Sequence, residues 1–395
     1  MPRKRASRLP TALMKAFLPT PPARRRRRRK APKISLPTVI SLPKAVTPRK
    51  PTGAAKPTSS GRPKSGTRKT GTGNRSAGRG TWHLLRFTAA VGTRAFRVYV
   101  PFGLRRTTRA PMLLALHGCT QDALDFAAGT RFNDLADRHQ FVVVYPEQSV
   151  AHNGQRCWNW FRTGHQFREQ GEPAILAGIV GRMLGERTRW RIDPERVYVT
   201  GISAGGAMAV VLAATYPELF AAVGVHSAPP YRSAAGPANA IAAMQGRAVP
   251  PPVHTASGEA MPPMIIFQGT FDGTVRPVNA RRVADQWLAA RATDAGPPTE
   301  SGLVARPIGA PRVARSGPAR PMSARSRRGH TVSRWYSGGR KVLELWEIDG
   351  LGHAWSGGST NGSYSDARGP RASTEMWKFF AAHRAVEPAV SARAG

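Results

Sequence analysis

The chain has 395 residues, with 60 Lys and Arg against 22 Asp and Glu, a formal net charge of +38. No apolar run approaches the ~18–20 residues of a membrane-spanning helix, which argues against a helical membrane protein. Two cysteines, Cys119 and Cys157, exclude a disulfide-rich scaffold.

The charge is unevenly placed. Residues 1–80 hold 23 Lys and Arg, among them Arg24–Arg29, and no acid. So little apolar surface cannot offset the entropy of ordering the chain, and the charges repel, so 1–80 is expected to be a disordered basic tail. Its apolar stretch "ALMKAF" is short and broken by Lys15, so no signal peptide is expected, and a cytoplasmic or storage-granule location follows. The tail could hold a polyanion non-specifically, whether nucleic acid, polyphosphate or anionic lipid. A solvated extension and a misassigned start are the other readings.

From Trp82 the pattern changes. "WHLLRFT" and "AFRVYVP" predict two antiparallel edge strands, and "MLLALHG" at 112–118 a buried strand. A helix at about 130–139, a strand at 141–146, a helix at 172–190 and a strand at 196–203 follow. Next come a small-residue helix from "AGGAMAVV", the strand "AAVGVHS", a Pro/Ala/Gly-rich excursion at 229–262, a strand at 264–269 and a helix at 279–291. Residues 293–328 lack periodicity and read as a disordered basic insertion, because long structureless loops are uncommon inside a domain. A hairpin resumes near His330; 342–349 is the last strand, 370–384 the last helix and 389–395 a C-terminal tail. Strands alternating with helices over 81–388 predict one α/β domain, a mostly parallel sheet with flanking helices.

Gly201-Ile-Ser203-Ala-Gly205 lies where a strand gives way to a helix. In that setting Gly-x-Ser-x-Gly forms a nucleophile elbow, a turn so tight that glycines must flank the serine. A serine hydroxyl needs a positioned base, and the chain order for this elbow is Ser, acid, His. Asp272 follows the strand at 264–269 and His353 follows the last strand, both at the carboxyl edge of a parallel sheet. Asp349 and Asp285 compete as the acid; Asp349 stands only four residues before His353. An oxyanion needs backbone donors, expected from Ala204 and, in the loop "LHGCTQ", from Cys119. His117 and Gly118 would shape that loop, with no proton transfer assigned to His117. No metal-ligand spacing or phosphate-binding glycine loop occurs, and the reaction read from these residues needs no cofactor.

"LHGCTQDALDFAAGTRFNDLADRHQFVVVYPEQ", "CWNWF", "RIDPERVYVTGISAGGAMAVVLAATYPELFAAVGVHSAPPY" and "GHAWSGGS…GSYSDARGPRASTEMWKFF" resemble the polyhydroxybutyrate (PHB) depolymerase family of esterases, over about 83–290 and 329–385. The resemblance implies an α/β-hydrolase that cleaves carboxylic esters, with polyester or 3-hydroxyalkanoate oligomers as the namesake substrate. It puts Ser203, Asp272 and His353 on triad positions and Cys119 on the oxyanion loop, and it makes an extracellular location the alternative. The basic tail and 293–328 fall outside the family core. Feruloyl and acetylxylan esterases share parts of these motifs, so their substrates, or simple short-chain esters, are the alternative. A different class, a polyanion-binding protein using the domain as scaffold, would show an incomplete triad.

Trp158, Trp160 and Trp355 are expected to wall the substrate site for an apolar acyl chain, with core packing as the other reading. Cys119 and Cys157 each flank a site motif, and either a structural pair or free thiols would fit.

Overall fold

A computed structural model of the protein describes residues 78–253, 261–293, 312–316 and 327–385. Its sheet is dictated by strands that are apolar on both faces. In Arg109–Leu116, Met112, Leu114 and Leu116 enter the core on one side while Leu113 and Ala115 enter the core on the other. Val142 and Val144 likewise oppose Val143 and Tyr145 in the next strand. Such strands must be covered on both sides, the usual setting of a parallel sheet.

The strands are Thr81–Ala89 (β1), Gly92–Val100 (β2), Arg109–Leu116 (β3), Val142–Pro146 (β4), Arg191–Ile202 (β5), Ala222–His226 (β6), Met264–Gly269 (β7), Arg312–Ser316 (β8), His330–Ser337 (β9) and Arg340–Ile348 (β10). Among the described residues they form one sheet in the order β1-β2-β4-β3-β5-β6-β7-β10-β9-β8. From β4 through β10 in that order the neighbours run parallel. Antiparallel hairpins close both edges. Trp355–Ser356 (β11) and Ser365–Asp366 (β12) make a separate short pair.

The helices are Ala123–Thr130 (α1), Phe132–His139 (α2), Gly171–Gly185 (α3), Ala204–Thr215 (α4), Pro237–Met244 (α5), Val278–Thr293 (α6) and Ala372–Ala381 (α7). Side chains of α1, α2 and α7 fill one core, and those of α3 through α6 fill the other. Every residue of α4 is buried, and its Gly and Ala positions let it lie close on the sheet. Because the central strands are parallel, the loops after β3, β5, β7 and β10 emerge along one edge. No helix among the described residues is long and apolar enough to cross a membrane.

Several expectations need correction. Helix α1 was not anticipated; Asp122 caps it by accepting from the Leu124 and Asp125 amides (3.1 and 3.0 Å), and Arg131 at φ 58° separates it from α2. Helix α5 lies within the excursion at 229–262, and α3 stops at Gly185 instead of 190. Residues 312–316, expected to be disordered, add the edge strand β8 because β9 offers an unpaired edge to extend. The rest of the insertion up to residue 326, the tail through residue 77 and the C-terminal tail lie outside the described residues. The last residues of the expected basic tail are held: the Arg79 amide donates to Asp137 (2.6 Å) and the Gly80 amide to the Tyr99 hydroxyl (2.6 Å).

Candidate active site

Ser203 sits between β5 and α4 with φ 56° and ψ −121°, a conformation that costs a non-glycine residue of order 1–3 kcal/mol. Its flanking glycines follow from close approach. A Cβ on Gly201 would lie 2.4 Å from the Gly205 main chain, and one on Gly205 only 2.2 Å from the Leu116 carbonyl oxygen. The Ser203 amide is held by the His226 carbonyl at 2.9 Å.

Past β7, buried Asp272 accepts from the Thr274 and Val275 amides through Oδ1 (2.9 and 2.8 Å). Its Oδ2 meets Nδ1 of His353 at 2.8 Å. Burial by itself would raise this carboxyl's pKa, but the His353 charge and hydrogen bond, with the two amides, hold it below the ordinary value. Of the three acids weighed, Asp272 is the one bonded to His353, while Asp285 is exposed on α6. Ser203 and His353 line one open hollow of about 240 Å³ together with Gly118, Cys119, Gln121, Ile202 and Tyr364. No hydrogen bond yet joins Ser203 to His353 among the described residues, an arrangement that substrate commonly tightens.

Cys119 and Ala204 flank Ser203 in a second hollow of about 210 Å³. Among the described residues no protein acceptor takes either of their amides, so both are available to an oxyanion. His117 shapes the loop. One ring nitrogen meets the Gly118 carbonyl (2.8 Å), the other accepts from the Gln148 amide (3.1 Å), and burial lowers its pKa.

A family model described as "Esterase PHB depolymerase" matches residues 94–299, more than half of the chain. The chain belongs to the PHB depolymerase esterase family. Over 208 residues it is 35% identical to "Poly(3-hydroxyalkanoate) depolymerase C" of Paucimonas lemoignei, covering 50% of this chain and 49% of that protein. Over 207 residues it is 30% identical to "Acetylxylan esterase A" of Emericella nidulans, covering 49% of this chain and 66% of that protein. The matched stretch thus spans about half to two thirds of these relatives. Among solved structures, an acetyl xylan esterase from Aspergillus awamori superposes with a TM-score of 0.54 at 21% identity, covering 69% of this chain and 94% of that one. That likeness shows the expected α/β-hydrolase fold.

In this family member the aromatic expectation needs revision. Trp158 is 0% exposed, and its indole donates to the His117 carbonyl (3.1 Å). Trp355 is 1% exposed; it meets Phe126 and Phe132 edge-on and donates to Ser373 Oγ (3.0 Å). Both are core residues, because the loops that carry them turn these rings inward. Trp160 does line the second hollow, with Pro229, Met244 and Val275. Tyr364, on the far side, was missed, although it lies in the "GSYSD" stretch that belongs to the resemblance.

Cys119 and Cys157 form a disulfide, with Cα atoms 4.2 Å apart, which joins the loop after β3 to the tryptophan loop. The tryptophan loop in turn rests on Glu172, fully buried in the first turn of α3. Its carboxylate accepts from Arg94 (3.0 Å), the Asn159 amide and side chain (2.7 Å each) and Gln148. Burial alone would raise its pKa, yet His165, Arg94 and the Asn159 amide together bring it down to about 2. An acid on a helix gives no sign in sequence that it will be the hub of a loop.

His226 was also not singled out. Its Nε2 accepts from the Ser356 amide (3.1 Å), and its ring stacks on Trp355 at 5.0 Å. Burial, and then repulsion from His353, lower its pKa to about 3, so it stays neutral behind the site.

Proposed function

We propose that the protein is a serine carboxylic ester hydrolase that acts on polyhydroxybutyrate or hydroxyalkanoate oligomers. The observation that carries this is the 2.8 Å contact between Asp272 and His353, whose ring shares a hollow with Ser203 on a strained elbow. Ser203 Oγ attacks the ester carbonyl carbon while His353 Nε2 takes its proton. The new oxyanion accepts from the Cys119 and Ala204 amides, aided by the amino terminus of α4. His353 returns the proton to the leaving alcohol, and the acyl group stays on Ser203. Water, deprotonated by His353, then releases the acid. Asp272 holds the ring so that Nδ1 carries its proton toward the carboxylate, and it stabilises the imidazolium. Trp160 offers apolar surface to one side of the ester.

Replacing Ser203 with Ala should lower hydrolysis of p-nitrophenyl butyrate by about 10⁴-fold or more with folding unchanged. Retained activity would refute the assignment. An acetylated-xylan or other short-chain ester is the second reading, favoured by the identity to acetylxylan esterase A. Product analysis on PHB granules, hydroxybutyrate oligomers, acetylxylan and feruloyl esters in parallel separates the two.

The disulfide supports an oxidising compartment, which favours the extracellular location over the cytoplasmic or granule-bound one. A polyanion contact through residues 1–80 rests on their charge. Deleting them should reduce DNA retention at low salt and leave ester turnover intact; unchanged retention would remove that role.

A further inference from the structure

The oxyanion donor and the base arrive from strands that are not neighbours. Strand β3 delivers Cys119 and β10 delivers His353, with β5, β6 and β7 between them. The sheet spaces the two loops across four strand-to-strand steps, and a side-chain network also bridges them directly. Gln121 is 3% exposed, and its Oε1 accepts from the Gly118 amide at 2.9 Å. Its Nε2 donates to Asp125 Oδ2 (3.0 Å) and to the carbonyl and hydroxyl oxygens of Ser363 (3.2 Å each). Asp125 Oδ1 accepts from the Ser363 amide (2.8 Å), and Ser363 Oγ donates to Asp125 Oδ2.

The polarity of this network is determined. An amide donor at Gly118 requires an oxygen on Gln121 there, so the Gln121 amino group must face Asp125. Only an acceptor-only group at 125 then receives Gln121 and both donors of Ser363 at once. On the other flank, Ser363 leads to Tyr364, whose carbonyl accepts from the Trp355 amide (2.6 Å), two residues past His353. The Tyr364 hydroxyl also meets Thr120 Oγ1 at 3.2 Å; both residues have positive φ, 50° and 65°.

We propose that Gln121 and Asp125 are positioning residues that, through Ser363, set the Cys119 amide at its working distance from the His353 ring. The inference rests on the esterase assignment above. Neither side chain takes part in bond making. Their effect falls on the transition state, where oxyanion and imidazolium exist together.

The test is a polarity exchange. Gln121→Glu sets two carboxylates against each other, and Asp125→Asn leaves one acceptor oxygen where Gln121 and the two Ser363 donors need two. Each single variant should lower kcat by about 10- to 100-fold, less than the ~10²–10³ lost with an oxyanion donor itself, and leave KM within about threefold. Affinity for a boronic acid that mimics the tetrahedral state should fall in step with kcat. The double variant restores the 121–125 contact with donor and acceptor exchanged, but not the contacts of Gln121 and Asp125 to Ser363, and should recover part of both losses. Single variants with kcat and boronate affinity within about twofold of the parent would overturn the proposal. So would losses that the double variant fails to recover and that follow Tm. Ser203→Ala run alongside keeps the two readings apart: hydrolysis by that variant overturns the esterase assignment, whereas its inactivity beside fully active Gln121 and Asp125 variants overturns only the positioning role.

Discussion

The elbow after β5 and the loop after β10 deliver their functional side chains by opposite means. At the elbow, main chain meets main chain: Gly205 lies so near the Leu116 and His117 carbonyls that nothing larger fits. The His353 loop is held by hydrogen bonds, main-chain ones from Phe271 to Leu351 and from Trp355 to Tyr364 and side-chain ones besides. Arg328 donates to Asp366 (2.6 Å) and to the Asp349 carbonyl (3.2 Å) on one side, and Asp125 accepts from Ser363 on the other. Steric closure responds to substitution in an all-or-none way, whereas a hydrogen-bonded loop should respond by degrees.

The hardest test of that contrast is Gly205→Ala. Its Cβ would fall 2.2 Å from Leu116 O against rigid main chain, so neither soluble yield nor activity should survive, in contrast to soluble, inactive Ser203→Ala. An active Gly205→Ala enzyme would break the steric account. Next in size is the tryptophan pair. Trp158→Ala, in the core, should cost about 3–5 kcal/mol in urea unfolding. Trp160 is 4% exposed in the same core yet lines the hollow, so Trp160→Ala should cost a similar stability and in addition shift preference toward longer acyl chains, read from kcat/KM across p-nitrophenyl esters. A stability loss without a chain-length shift would leave Trp160 with core packing alone.

The last effect depends on pH and concerns the residue joining both regions. His226 binds the Ser203 amide through its carbonyl and the Ser356 amide through its ring. Its folded pKa, about 3, lies below its unfolded value, so the unfolded chain takes up the proton first as pH falls. Stability is therefore full above about pH 6.5 and declines from there toward about 3. In His226→Asn, unfolding midpoints measured across pH should decline less over that window. An unchanged slope would assign the acid loss to the carboxylates instead, with Asp272 the first to examine.

Legibility in the sequence tracks the same divide. Strands β3 to β7 and β10 could be read because burial on both faces leaves nearly continuous apolar runs, and β1 and β2 because more and less buried residues alternate along an edge. Ser203 was legible because its flanking glycines are a steric requirement, and Asp272 and His353 because each follows such a run. Trp158 and Trp160 are two residues apart in one loop and both buried, and no periodicity tells which ring also borders the hollow. Gln121, Asp125, Glu172 and Ser363 are ordinary polar residues whose partners lie far along the chain, up to 242 residues for Gln121 and Ser363. Helix α1 had a cap in Asp122 that went unread, because eight residues carry too little periodicity to announce a helix.

The sequence by itself determined where the charge lies, the α/β order of elements and which serine stands in a tight turn, since these depend on neighbours in the chain. Tertiary structure alone decided that Cys119 meets Cys157, which tryptophan faces the hollow, and how the oxyanion loop is tied to the histidine loop. Those depend on pairing of side chains across strands, and local composition carries no record of it.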